Sequence, residues 1–194
     1  RMLNGTHSAL AYTGFLAGHE TISDTVADPV FAAYVRQLWS EISPAITAPP
    51  GVSLAAYAEA LFERYANPSI RHRTWQIAMD GSQKLPQRIL GTLRENMDAG
   101  RASPGLCLAV VAWMRYVGGV DEAGKPIDVR DPLSDTLRDL AKGAESPADT
   151  VTALLSLREV FPQDLAEQLK PPLTEMAELL WSLGARAAVQ KVTT

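Results

Sequence analysis

A single all-α domain built from many helices is the fold this sequence predicts, on three observations. Alanine and leucine are abundant, apolar residues recur at helical spacing, and alternating β-branched runs are scarce. The connections are short, and no internal repeat, low-complexity tract or sustained heptad interrupts the 194 residues. A chain of this length with 46% hydrophobic residues buries roughly 70% of its unfolded surface, enough for a core without staples.

The first helix is expected over Asn4 to Ala17, with Leu3, Leu10, Phe15 and Leu16 as apolar contacts and Gly18 near its end. Thr21 to Asp28 reads as a short helix or turn. Pro29 suits the first turn of the next helix, where the missing N–H has no intrahelical acceptor anyway. That helix runs to about Ile42, with Phe31, Val35, Leu38 and Ile42 on one face. Pro44, Pro49, Pro50 and Gly51 mark a loop. Ser53 caps a helix from Leu54 to Ala66, which Asn67-Pro68 stops. Arg71 to Met79 is expected as another helix, broken at Asp80-Gly81; Ser82 then caps one from Gln83 to Met97, with Pro86 in its first turn. Ser103-Pro104 opens the most apolar helix, Leu106 to Val117, at the centre of the core. After an irregular stretch holding Gly118-Gly119 and Gly124-Lys125-Pro126 come helices near Leu133–Ala141 and Pro147–Arg158, and a short turn of helix at Gln163–Leu169. Pro171-Pro172 opens a last helix ending near Arg186.

Composition and motifs exclude several functions. The net charge is −4 and the pI near 5.4, against the basic excess of a general nucleic-acid or anionic-membrane binder. No apolar run approaches the ~18 residues of a membrane span, and the first residues are not a signal peptide. The lone Cys107 forms no internal disulfide, fits a cytoplasmic location, and sits on an apolar helix as a buried, inert thiol. No Gly-x-Gly-x-x-Gly, no second histidine of a helical zinc site and no Gly-x-Ser-x-Gly elbow occurs, so no metal is expected.

Two segments carry chemistry. In Asn4-Gly5-Thr6-His7 the amide and the imidazole are three residues apart, on one helix face, where they could orient and polarise a substrate oxygen. A helix cap followed by an ordinary surface histidine explains the same spacing. The segment from Arg71 to Arg88 holds four basic side chains against Asp80, a net +3, leaving −7 elsewhere. Lys84 falls in a first helical turn, an unfavourable place for a cation and a suitable one for holding an anion or polarised oxygen. A solvated basic face is the alternative. Trp75 is expected in the core, His72 on the surface and His19 at a helix end.

Together these segments resemble the C-terminal domain of the mannitol dehydrogenase family, the polyol-specific long-chain dehydrogenases. The family signature is a lysine, four residues, an asparagine, two residues and a histidine; Asn4 and His7 match its end, and its lysine falls two positions before Arg1. Asp80-Gly81-Ser82-Gln83-Lys84-Leu85-Pro86 is similar to the family's second substrate-contacting segment, with Lys84 at a substrate-binding lysine. An arginine expected eight positions earlier is Gln76 here, with Arg73 and Arg71 about one turn before it.

The resemblance implies a helical domain like the C-terminal domain of 6-phosphogluconate-dehydrogenase-like enzymes. It implies a partner N-terminal Rossmann domain that binds NAD or NADP, and zinc-independent interconversion of a secondary alcohol and a ketone. Asn4 and His7 are then catalytic, Asn4 stabilising the developing oxyanion and His7 orienting the substrate; Lys84, Arg73 and Gln76 contact the substrate. The +3 segment favours a sugar acid such as D-mannonate, with D-fructuronate its ketone, over a neutral polyol such as mannitol. A non-catalytic helical interaction module is the alternative from another class. The 194 residues alone are expected to be inactive. The dehydrogenase reading requires Asn4, His7 and Lys84 to converge on one pocket mouth.

Overall fold

Why one helix becomes the axis of the molecule is plain from its residues. Helix α8 (Pro104–Tyr116) carries Leu106, Leu108, Val110, Val111, Trp113 and Met114, each fully buried, and it is packed on several sides. Around it lie α1 (Met2–Leu16), α3 (Pro29–Ile42), α10 (Pro147–Leu155), α11 (Gln163–Leu183) and α12 (Ala185–Val192). The computed structural model describes residues 1–194, and its regular elements are all helices, with two isolated antiparallel bridges and no strand. No helix is long and apolar enough to cross a membrane.

Local signals explain most boundaries. Asp28 accepts from the Val30 N–H at the start of α3, and Ser53 accepts from the Ala56 N–H at the start of α4 (Leu54–Ala66). Thr21 caps α2 (Ile22–Ala27) through the Asp24 N–H. Helix α9 (Ser134–Lys142) and α10 stand close to the expected ranges, Ser146 capping the latter.

Three expectations are corrected. Between Arg71 and Met79 only α5 (Thr74–Ile77) is helical. The preceding residues are extended, because Thr21 bridges Arg73, the Ile22 N–H donates to the His72 carbonyl, and the Thr74 N–H donates to the Glu20 carbonyl. Second, Ser82 is not a cap. Helix α6 starts at Gly81, one residue after Asp80 in the left-handed region (φ 57°), and runs to Leu85. Asp131, from a distant loop, accepts from both the Ser82 N–H at 2.8 Å and its hydroxyl at 2.5 Å. The rod continues through a π-helical turn, Pro86–Leu90, into α7 (Gly91–Asp98).

Third, Pro171 and Pro172 lie inside α11 rather than opening a new helix. The carbonyls they leave without donors, on Glu167 and Gln168, belong to exposed residues where water can serve. Meanwhile Leu165, Leu169, Leu173, Ala177 and Leu180 bury one unbroken stripe, and that packing overrides propensity. The helix ends instead at Gly184 (φ +82°), ahead of α12, whose first N–H, on Ala185, donates to Glu122.

Candidate functional site

His7 sits on the second turn of α1, three residues after Asn4 on the same face, as the helix dictates. Its ring stacks on Tyr65 of α4 (5.4 Å between centroids, 24° between planes). Tyr65 is fixed in turn by its hydroxyl, which donates to the Leu3 carbonyl at 2.8 Å. On another side His72 approaches the His7 ring at 5.4 Å, tilted by 56°. The pairing of residues 19–22 with 72–74 is what holds His72 there.

These side chains line a cleft of about 130 Å³. Leu3, Ile22, Ile70 and Tyr65 form its apolar wall, and His7, Arg64 and His72 supply its polar groups. The His7 Nε2 is buried there without a hydrogen-bond partner.

The rod from Gly81 to Asp98 is pressed against α1. A Cβ on Gly5 would stand 2.8 Å from the Arg88 carbonyl oxygen, so only glycine permits this approach. Arg88, in the π turn, donates to the Ser8 hydroxyl at 3.1 Å. Lys84 stands one turn earlier, half-buried, its Nζ 3.5 Å from the Ile77 carbonyl. It is not a cleft wall residue, yet its charge acts on His7 together with those of Arg88 and Arg64. Neither Lys84, Arg88 nor Arg64 forms an ion pair; the seven pairs in the molecule all lie elsewhere.

Electrostatics follow from this crowding. Burial, then the His72, Arg88, Arg64 and Lys84 charges, push His7 from 6.5 down to about 4, so its ring is neutral at physiological pH. Burial and the adjacent Arg88 also hold Lys84 below the usual lysine range, with Asp80 pulling the other way. Because the folded His7 value is depressed, its stabilising contribution is complete above pH 6.5 and is lost as pH falls toward 4. Allowing for partial solvent screening, that loss is about 2 kcal/mol. It should appear as a difference between the wild type and His7→Gln in denaturant titrations at pH 7 and pH 4.5. A His7 ring titrating near 6.5 by NMR would contradict this account.

The other sequence-predicted residues are less concentrated. Asn4 is exposed, its side chain makes no hydrogen bond, and it lies beside the cleft rather than in its wall. Arg73 is exposed and lines a separate cleft of about 400 Å³ with His19, Glu20, Trp75 and Asp121. Gln76 is exposed and lines neither cleft. Trp75 is only half-buried, its Nε1 donating to the Asp128 carbonyl at 2.8 Å, so it is not a core residue. His72 is exposed as expected, but it belongs to the His7 cleft. Arg64, Tyr65 and His72 were not legible as site residues, because only the packing of α4 and the 72–74 segment on α1 brings them to His7. Cys107 is buried among apolar groups and its thiol is pushed up to about 12, chiefly by burial. No cluster of potential metal ligands is present.

A family model described as the mannitol dehydrogenase C-terminal domain matches residues 1–179. Among curated relatives, the "Uncharacterized oxidoreductase YeiQ" of Escherichia coli (strain K12) is 49% identical over 93% of this chain and 36% of its own length. The D-mannonate oxidoreductase of the same organism is 47% identical over 97% of this chain and 39% of its own length. The chain thus spans well under half the length of these relatives. Among solved structures, the Pseudomonas fluorescens mannitol 2-dehydrogenase ternary complex with NAD and D-mannitol superposes with a TM-score of 0.89 at 29% identity. That superposition covers 98% of this chain and 39% of the other. Matched by the family model over nearly its whole length, and sharing both sequence and helical architecture with these proteins, the chain belongs to the mannitol dehydrogenase family.

Proposed function

We propose that this chain is the substrate-binding helical part of an NAD(P)-dependent oxidoreductase that interconverts a secondary alcohol and a ketone on a sugar acid, D-mannonate and D-fructuronate. The observation that carries the sugar-acid reading is the set of three cations, Lys84, Arg88 and Arg64, whose charges act on a neutral His7 and none of which is in an ion pair. Like charges held together in a chain of net charge −4 are destabilising until an anion joins them. The relation to a D-mannonate oxidoreductase supports the same substrate class.

In this proposal His7, neutral and with an unsatisfied Nε2, hydrogen-bonds and orients a substrate hydroxyl. Asn4, one turn earlier, offers its amide N–H to the oxygen that gains alkoxide character in oxidation. The Lys84 ammonium, partly desolvated, stabilises the same developing charge. The nicotinamide nucleotide supplies the hydride chemistry when bound. The cleft here is too small for a dinucleotide and no Gly-rich phosphate motif is present, so its binding residues belong to another part of an enzyme as long as the relatives. The alternative substrate class, a neutral polyol, is represented by the D-mannitol complex of the structural neighbour.

Comparative kcat/KM on D-mannonate and D-mannitol with the intact enzyme tests the choice. A preference for mannonate of ten-fold or more is expected, and a clear preference for mannitol would end the sugar-acid reading. The 194 residues alone should show no nucleotide-dependent turnover.

A further inference from the structure

We infer that Arg64 is the specificity-determining residue that grips the substrate carboxylate, an inference resting on the sugar-acid reading above. The three cations near His7 differ in what they are free to do. Arg88 is committed to the Ser8 hydroxyl and lies half-buried in the π turn. Lys84 leans on the Ile77 carbonyl and presents a single ammonium, which suits one oxygen rather than two. Arg64 forms no side-chain hydrogen bond and no ion pair, although Glu63 is its immediate neighbour and Glu59 stands five residues earlier on the same helix. Glu59 is taken by Arg36 at 2.9 Å.

Position completes the argument. Arg64 occupies the last turn of α4, beside Tyr65, and Tyr65 is held twice, by stacking on His7 and by its bond to Leu3. The helix that carries the guanidinium is therefore fixed relative to His7 while the guanidinium itself remains open on the cleft. A planar fork of N–H donors matches a carboxylate in two parallel bonds. His72, on the same cleft, provides an N–H for a further oxygen. The apolar wall of Leu3, Ile22 and Ile70 lowers the local dielectric and strengthens the contact.

The test is steady-state kinetics of the intact enzyme carrying Arg64→Gln or Arg64→Lys, with D-mannonate and D-mannitol as substrates. Arg64→Gln should raise KM for mannonate about ten- to a hundred-fold while leaving kcat within about two-fold, and should leave the slow mannitol reaction unchanged. Arg64→Lys, with charge but no fork, should recover only part of the loss. If the wild type prefers mannonate but Arg64→Gln keeps its KM, the inference is overturned and the sugar-acid reading stands. An equal loss on both substrates would also overturn it, since that marks a structural role. A wild type that prefers mannitol removes both.

Discussion

Gly81→Ala should cost the protein about 3 kcal/mol, lowering Tm by about 6–12 °C for a domain of this length. A Cβ at this position would collide with the Tyr12 hydroxyl and would lie 2.5 Å from Trp113 Nε1. Neither side chain can yield. Tyr12 and Trp113 are fully buried, Tyr12 is tied to the Ala78 carbonyl at 3.0 Å, and Trp113 packs on Phe161. The first turn of α6 would have to lift off α1 and α8, taking Asp80, Ser82 and Lys84 with it. On the role proposed above for Lys84, the loss should be accompanied by a weaker substrate interaction in the intact enzyme. Gly91→Ala is the internal control, because its Cβ would meet nothing nearer than the Pro86 carbonyl at 3.8 Å. In a helix that change should stabilise by about 0.5–1 kcal/mol. Thermal and urea unfolding of the two variants side by side separates overpacking from helix propensity.

Much of the scaffold is written locally. Helix α3 begins at Pro29 and ends at Ile42, and α4 runs from Leu54 to Ala66, where Pro29, Ser53 and Asn67-Pro68 placed the boundaries in the sequence. Helix α8 was legible because an uninterrupted apolar run after Ser103-Pro104 has only one place to go. Long-range contacts decided the rest. Asp131 overrode the local capping signal of Ser82 from 49 residues away. The buried stripe of α11 overrode two prolines. Pairing with residues 19–22 pulled Arg71 to Arg73 out of a helix.

The site divides the same way. Asn4 and His7 share a face because helical geometry requires it, and the charge excess around Lys84 and Arg88 was countable. No spacing rule connects His7 with Arg64, 57 residues later, or with Tyr65; their meeting is a product of how α4, packed on α2, lays Tyr65 against His7 and Leu3. Arg73 and Gln76 stood close to Lys84 in sequence, yet the extended 71–73 segment and the short α5 carry Arg73 to a different cleft.

Glu41→Ala should be as costly as Gly81→Ala, about 3 kcal/mol, and its pH dependence should identify the cause. The central helix α8 has no side-chain cap of its own. Its first free N–H groups, on Gly105 and Leu106, donate instead to the two oxygens of buried Glu41 at 2.8 and 2.9 Å, and Gln37 donates to the same carboxylate. Removing the carboxyl group leaves two buried N–H groups without acceptors, each costing about 1–3 kcal/mol. Burial raises the Glu41 carboxyl above its ordinary 4.5, the hydrogen bonds from Gln37, Gly105 and Leu106 only partly opposing it. A raised folded value means that this group's contribution is fully present below pH 4.5 and declines as pH rises through that value. The stability gap between wild type and Glu41→Ala should accordingly be widest in acid and narrow toward neutrality, the reverse of a surface ion pair. Urea titrations across pH 4–7 read that gap directly, and amide exchange at Gly105 and Leu106 should accelerate selectively in the variant. A gap that widened with pH would mean that the buried charge, rather than the pair of acceptor oxygens, is what secures the start of α8.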